Sequence, residues 1–108
     1  MGAPRALLRE NRRALEGATD AKSRPLEVVE MEEAWEAESE SATWCRSYIN
    51  FYVANGGVVM PAYGVPGDAR ARAVVEKAYP DRQVVQIDIR KVAILGGGIH
   101  CITQQQPA

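Results

Sequence analysis

The chain has 108 residues, 46% of them apolar and 25% charged, with a formal net charge of −1 at pH 7. That is one domain at most, of ordinary globular composition and large enough for a modest core. The near-neutral balance carries no polybasic signature for nucleic acid, and no apolar run approaches the ~20 residues of a membrane helix, so neither partner is expected.

The opening "MGAPRALLRENRRALEG" has basic residues but no apolar stretch of the signal-peptide kind. Ala6 stands where the myristoylation pattern after Gly2 requires Ser or Thr. Two cysteines, Cys45 and Cys101, and one histidine, His100, give neither a disulfide framework nor metal-ligand spacing. A reduced, cytoplasmic setting is expected.

Residues 4–17 predict a helix with Leu7, Leu8, Ala14 and Leu15 as its apolar stripe, Pro4 in the first turn and Gly17 at the stop. "PLEVVEM" (25–31) predicts a short strand. Six glutamates between Glu30 and Glu40 follow, with too little apolar periodicity for an element, and predict a solvated loop or a frayed helical turn rather than a cation-binding surface. "SYINFYVANGGVVMPAY" (47–63) predicts a hairpin, because Asn55 and Gly56 can both take positive φ between two β-rich runs. Alternation then sets Tyr48, Asn50 and Tyr52 on one face, with Ile49, Phe51 and Val53 on the other. Asp68 predicts the cap of a helix running to about Tyr79, with Ala71, Val74, Val75 and Ala78 inward. "RQVVQID" (82–88) predicts a strand, and a final strand is expected from Ile99 to Gln104. The result is an α/β chain: a helix-strand piece with an acidic loop over 1–46, and a ββαβ unit with a last strand over 47–108.

The chemistry gathers in "GGGIHCITQQQP" (96–107). On a strand His100 and Cys101 point to opposite faces, so His100 is badly placed to take the thiol proton. Gly96, Gly97 and Gly98 let the backbone approach a ligand closely, and their N–H groups can stabilise a thiolate. They lack the spacing of a dinucleotide or phosphate loop. From the residues alone, a nucleophilic Cys101 and a buried structural thiol stand about even. Asn50, on a strand face between two tyrosines, is a candidate to line the pocket or support the glycine loop; a hydrogen bond within the sheet is the plainer alternative. Asp88, ending a strand, suits a turn carboxylate.

Together "SYINFYVANG" and "GGGIHCITQQQP", with "ATDAKSRPLEVVEM" upstream, closely resemble the C-terminal end of agmatine deiminases, a family shared with bacterial-type peptidylarginine deiminases. The resemblance implies a partial pentein fold, propeller-like and built of ββαβ units, of which this chain holds about the last unit and an α-β piece of the one before. It implies hydrolysis of agmatine to N-carbamoylputrescine and ammonia, toward putrescine, with no metal or organic cofactor. The family's nucleophile falls on Cys101. The substrate pocket is expected to include Gly96, Gly97, Gly98 and Asn50. Here the terminal motif is one residue tighter than its commoner form, and Cys45 matches no family role.

The acid-base histidine and the guanidinium-binding carboxylates of the family belong to earlier units, and nothing in this chain matches them. Three readings follow. The chain is the nucleophile-bearing part of an agmatine deiminase-like hydrolase, completed by the missing N-terminal units or a complementing chain. Alternatively it serves a peptidylarginine-directed enzyme, or it is an inactive fragment or binding module.

Overall fold

The computed structural model describes residues 5–37 and 44–107, and the chain divides into two compact units, 1–30 and 31–108. The first unit holds helix α1 (Arg5–Glu16). Its amphipathic stripe forms as expected, but no residue of α1 is buried, and Leu7, Leu8 and Leu15 stay exposed. Arg12 ties the helix to its own Glu16 at 2.9 Å and to Glu30.

The strand expected over 25–31 does not form; a single bridge, Thr19 to Pro25, stands in its place. Asp20 explains the difference. Its carboxylate accepts the backbone N–H of Lys22 (2.8 Å) and of Arg24 (3.0 Å) and the Arg24 Nε–H (2.6 Å), closing a tight turn with Ser23 at φ +61°. Among the described residues of the unit no strand is present to pair with this segment, so its apolar residues gain nothing from extension.

The second unit runs β1 (Tyr52–Ala54), β2 (Gly57–Ala62), α2 (Gly67–Ala78), β3 (Gln83–Asp88) and α3 (Arg90–Ala93), then a 3₁₀ turn at His100–Ile102. The ββαβ order matches the expectation. The sheet order is β1-β2-β3, with β1 antiparallel and β3 parallel to β2. Val58 and Met60 of β2 and Val84 of β3 face Ala71 and Val75 of α2, and all five are buried. Fully burying side chains such as Val58 and Met60 stabilises by about 1.5–3 kcal/mol each. Ala78, expected inward, is exposed. On the opposite sheet face Val85 and Ile87 are 43% and 49% exposed.

The hairpin turn needs only one left-handed residue, Gly56 at φ +79°, rather than two. β1 is also shorter than the sequence suggests, and Pro61 supplies the reason. The register pairs Tyr52 with Val59, so the next pair of the same kind would set Asn50 opposite residue 61 and take an N–H from it. Proline has none to give. The sheet therefore stops at Tyr52, and residues before it turn, with the Asn50 N–H donating to Ser47 O at 3.3 Å. The facial alternation expected over 48–51 has no strand to act on, because these residues lie in the turn before β1.

Asp68 does not cap α2 in the expected way; the N-cap position is Pro66, without a side-chain bond. The Asp68 carboxylate instead collects the N–H groups of Tyr63 (3.0 Å), Gly64 (2.9 Å) and Val65 (3.2 Å) and the hydroxyl of Tyr48 (2.7 Å). Burial, then the adjoining carboxylate, pushes the Tyr48 hydroxyl well above an ordinary phenol. The acidic stretch is only partly a solvated loop. Glu36 accepts the Gly67 N–H at 3.0 Å and pairs with Arg70 at 2.9 Å, while Glu38 and Glu40 lie outside the described residues. Trp44 is buried edge-on to Tyr63 and donates its indole N–H to Arg90 O at 3.0 Å.

Candidate active site

After β3 the chain makes the single turn of α3 and then reverses. Gly96 N–H donates to Ala93 O at 3.0 Å, and Gly96 takes φ +92°, a conformation that L side chains rarely adopt. Gly97 and Gly98 bring the chain to Ile99, which is helical (φ −63°, ψ −48°) and opens the 3₁₀ turn. The final strand expected over 99–104 is therefore absent. Three bonds hold the turn closed, from Ile102 N–H to Ile99 O (3.2 Å) and from Thr103 N–H (3.1 Å) and Thr103 Oγ1–H (2.7 Å) to His100 O. A fourth anchors it across the fold: the His100 N–H donates to Asn50 O at 3.4 Å, the carbonyl that Pro61 leaves without a sheet partner.

This turn places the Cys101 thiol, which is exposed. Its sulfur accepts a hydrogen bond from Asn50 Nδ2 at 3.2 Å. That bond first, and the nearby backbone N–H of Gly98 second, hold the thiol below its ordinary range, against an opposing effect of burial. The two neighbouring glycines act by their size. A Cβ on Gly97 would lie 3.0 Å from Cys101 Cβ and 3.2 Å from its sulfur; one on Gly98 would lie 2.8 Å from Asn50 Cγ. So Gly96 turns the chain, Gly97 makes room for the cysteine, and Gly98 makes room for Asn50. The structure brings these five candidate residues to one place.

His100 is not part of the cluster. Its ring is exposed and stands beside Tyr52, 6.3 Å between centroids. The strand alternation offered for that separation does not apply, since the turn itself sends the two side chains apart. Asp88 is occupied by Arg90, bonding its backbone N–H (3.0 Å), Nε (3.0 Å) and NH2 (2.8 Å), which holds the carboxyl down at about 2. Cys45 is half-buried, its N–H bonded to Ala93 O at 3.0 Å. Among the described residues no three His, Cys, Asp or Glu side chains gather to hold a metal ion, and no helix is long and apolar enough to cross a membrane.

The sequence matches the Porphyromonas-type peptidyl-arginine deiminase family over residues 3–107. The chain belongs to that family. A Streptomyces coelicolor relative is 49% identical over 94 residues, covering 86% of this chain and 28% of its own length. The agmatine deiminase of Pseudomonas aeruginosa is 38% identical over 114 residues, covering 89% of this chain and 31% of its own. Among solved structures, the agmatine deiminase of Enterococcus faecalis superposes with a TM-score of 0.70 at 31% identity, over 92% of this chain and 32% of that one. The chain thus spans about 30% of the length of the relatives it matches, and its α/β sheet is a partial pentein fold.

Two contributors to the site were not legible in the sequence. The sequence suggests a helix cap for Asp68 and an acidic-stretch residue for Glu36, yet they fix the loop and helix start behind Tyr48, two residues from Asn50. An acidic residue shortly after "YGVPG" was the available signal for Asp68. For Glu36 there was none.

Proposed function

We propose that this chain supplies the nucleophile of an agmatine deiminase-type hydrolase, cleaving agmatine and water to N-carbamoylputrescine and ammonia. The observation that carries the reading is the exposed Cys101 sulfur, bonded by Asn50 Nδ2 and set against two glycines where a side chain would crowd it or its partner. A guanidinium carbon is a poor electrophile, its charge spread over three nitrogens, and needs a nucleophile stronger than a neutral thiol. Cys101 thiolate attacks that carbon and forms the C–S bond. The tetrahedral adduct expels one nitrogen, protonated on departure, as ammonia. Water then adds to the thiouronium carbon, the C–S bond breaks, and the thiolate returns with the carbamoyl product released.

That sequence needs a group to protonate the leaving nitrogen and activate water, and carboxylates to grip the N–H fork. The single histidine, His100, faces Tyr52 instead. The remaining units, on the same longer polypeptide or on a separate chain, supply those groups, and the exposed face at Val85 and Ile87 is where an adjacent unit covers the sheet. A reducing, cytoplasmic location suits an activated thiol. The test is ammonia release from agmatine and from a blocked arginyl peptide, side by side, in an assembly holding those units. Cys101→Ser is expected to abolish turnover; retained release sinks the reading. Faster turnover of the peptide transfers it to peptidylarginine chemistry, as the family's description suggests.

A further inference from the structure

We propose that Asn50 is a positioning residue for Cys101, its side-chain amide holding the sulfur in the anionic form from a fixed point in the fold. The proposal rests on the reading of Cys101 as nucleophile, and it assigns Asn50 to the sulfur rather than to substrate.

Three observations carry it. First, Asn50 has little freedom. Its backbone is bonded at both ends, N–H to Ser47 O (3.3 Å) and O to His100 N–H (3.4 Å), and its side chain lies against Gly98, where only a hydrogen leaves space. Second, Nδ2 stands 3.2 Å from Cys101 Sγ, so the amide presents a donor to the sulfur. Third, Asn50 Oδ1 is buried with no hydrogen-bond partner. A buried unsatisfied acceptor is costly, and such an orphan calls for an explanation. Turning the amide over would set Oδ1 against the sulfur, an arrangement that suits an S–H donor and repels a thiolate. The orientation present suits the anion, and a donor to an anion is the stronger bond. Because Oδ1 is sealed from solvent and Nδ2 is engaged, the amide has nothing left to offer a guanidinium.

The depressed thiol agrees, with Asn50 as its largest cause and the Gly98 N–H second. The side chain acts through the nucleophile and touches no reacting carbon.

The test is the pH profile of iodoacetamide alkylation of Cys101 in the 108-residue chain, followed by mass, on a Cys45→Ser background so that one thiol is counted. Asn50→Ala is expected to move the profile to higher pH and slow alkylation at neutral pH by roughly three- to tenfold, the loss of one ordinary hydrogen bond. The plateau at high pH stays put. Asn50→Asp moves it further, since an anion then faces the sulfur. Gly98→Ala provides an independent variant: the three atoms nearest its new Cβ all belong to Asn50, so it displaces the amide with both partners retained. Circular dichroism checks that each variant folds, and Gly98→Ala decides if the Asn50 variants do not. Profiles superposing on the parent in folded variants overturn the proposal. Ammonia release retained by Cys101→Ser, beside a shifted Asn50 profile, overturns the nucleophile reading and leaves the Asn50–Cys101 pairing standing.

Discussion

Removing the Asp68 carboxylate tests the frame behind the site. Asp68 accepts four hydrogen bonds, three from the consecutive backbone N–H groups of Tyr63, Gly64 and Val65 and one from the buried Tyr48 hydroxyl. In Asp68→Ala the backbone groups at exposed Gly64 recover water, but the Tyr48 hydroxyl is left without a partner, at about 1–3 kcal/mol. Loss of bonds to an ionised acceptor adds about 1.5–3 kcal/mol. The sum expected is about 2.5–6 kcal/mol, a large part of the 5–15 kcal/mol that stabilises a domain of this size. At a urea slope of about 1.5 kcal/mol/M the midpoint falls by roughly 2–4 M. Asp68→Asn keeps the shape and one acceptor, turns an NH₂ toward two of the donors, and loses about half as much. Urea melts followed by far-UV circular dichroism give the midpoints, with near-UV dichroism reporting on the Tyr48–Tyr63 pair, 5.3 Å between centroids. If Asp68→Ala melts within about 1 kcal/mol of the parent, the carboxylate is a spectator and the frame is held by apolar packing alone.

Asp88→Asn should show a pH signature. The Asp88 carboxyl is depressed to about 2 from an ordinary 3.8, so its pairing with Arg90 adds stability above about pH 4 that is lost as pH falls through 2. Both partners are about half exposed, so the contribution at pH 7 is below about 1 kcal/mol. Thermal melts of parent and variant at pH 7 and pH 2 should differ at the first and coincide at the second; an equal gap at both pH values contradicts the pairing. Gly56→Ala should cost about 1–2 kcal/mol from its φ of +79° alone, since nothing lies within 4 Å of the added Cβ. A neutral result in the same melts means the turn has another conformation in solution.

The ββαβ order was legible because the local cues and the tertiary outcome agree: a glycine turn, a helix with Ala71 and Val75 inward, and a β-branched run before Asp88. The errors share a cause. The segment 25–31 reads as a strand by residue type, and extended chain is worth little without a partner in the same unit. Residues 99–104 read the same way, and three preceding glycines with a helical Ile99 win over that preference. The length of β1 depends on Pro61, nine residues beyond the end that it sets, and the residue types over 47–52 carry no sign of that proline. Of the site, Cys101 and its glycines were legible as a group, but not that each glycine does a different job. Asn50 was named as a candidate for its odd polarity between two tyrosines; its partner was not, because contacts between residues 50 and 101 leave no local trace.

That last separation bears on when the thiol becomes reactive. The donor and the sulfur it serves are 51 positions apart, so no partly made or loosened chain holds them together. An unfolded copy carries an unassisted thiol, slow toward oxidants and electrophiles, and sulfur chemistry switches on only as Asn50 and the last turn meet. Cys101 reactivity is thus a clock for the completion of folding: the rate at which it appears during refolding measures closure of the loop between residues 50 and 101.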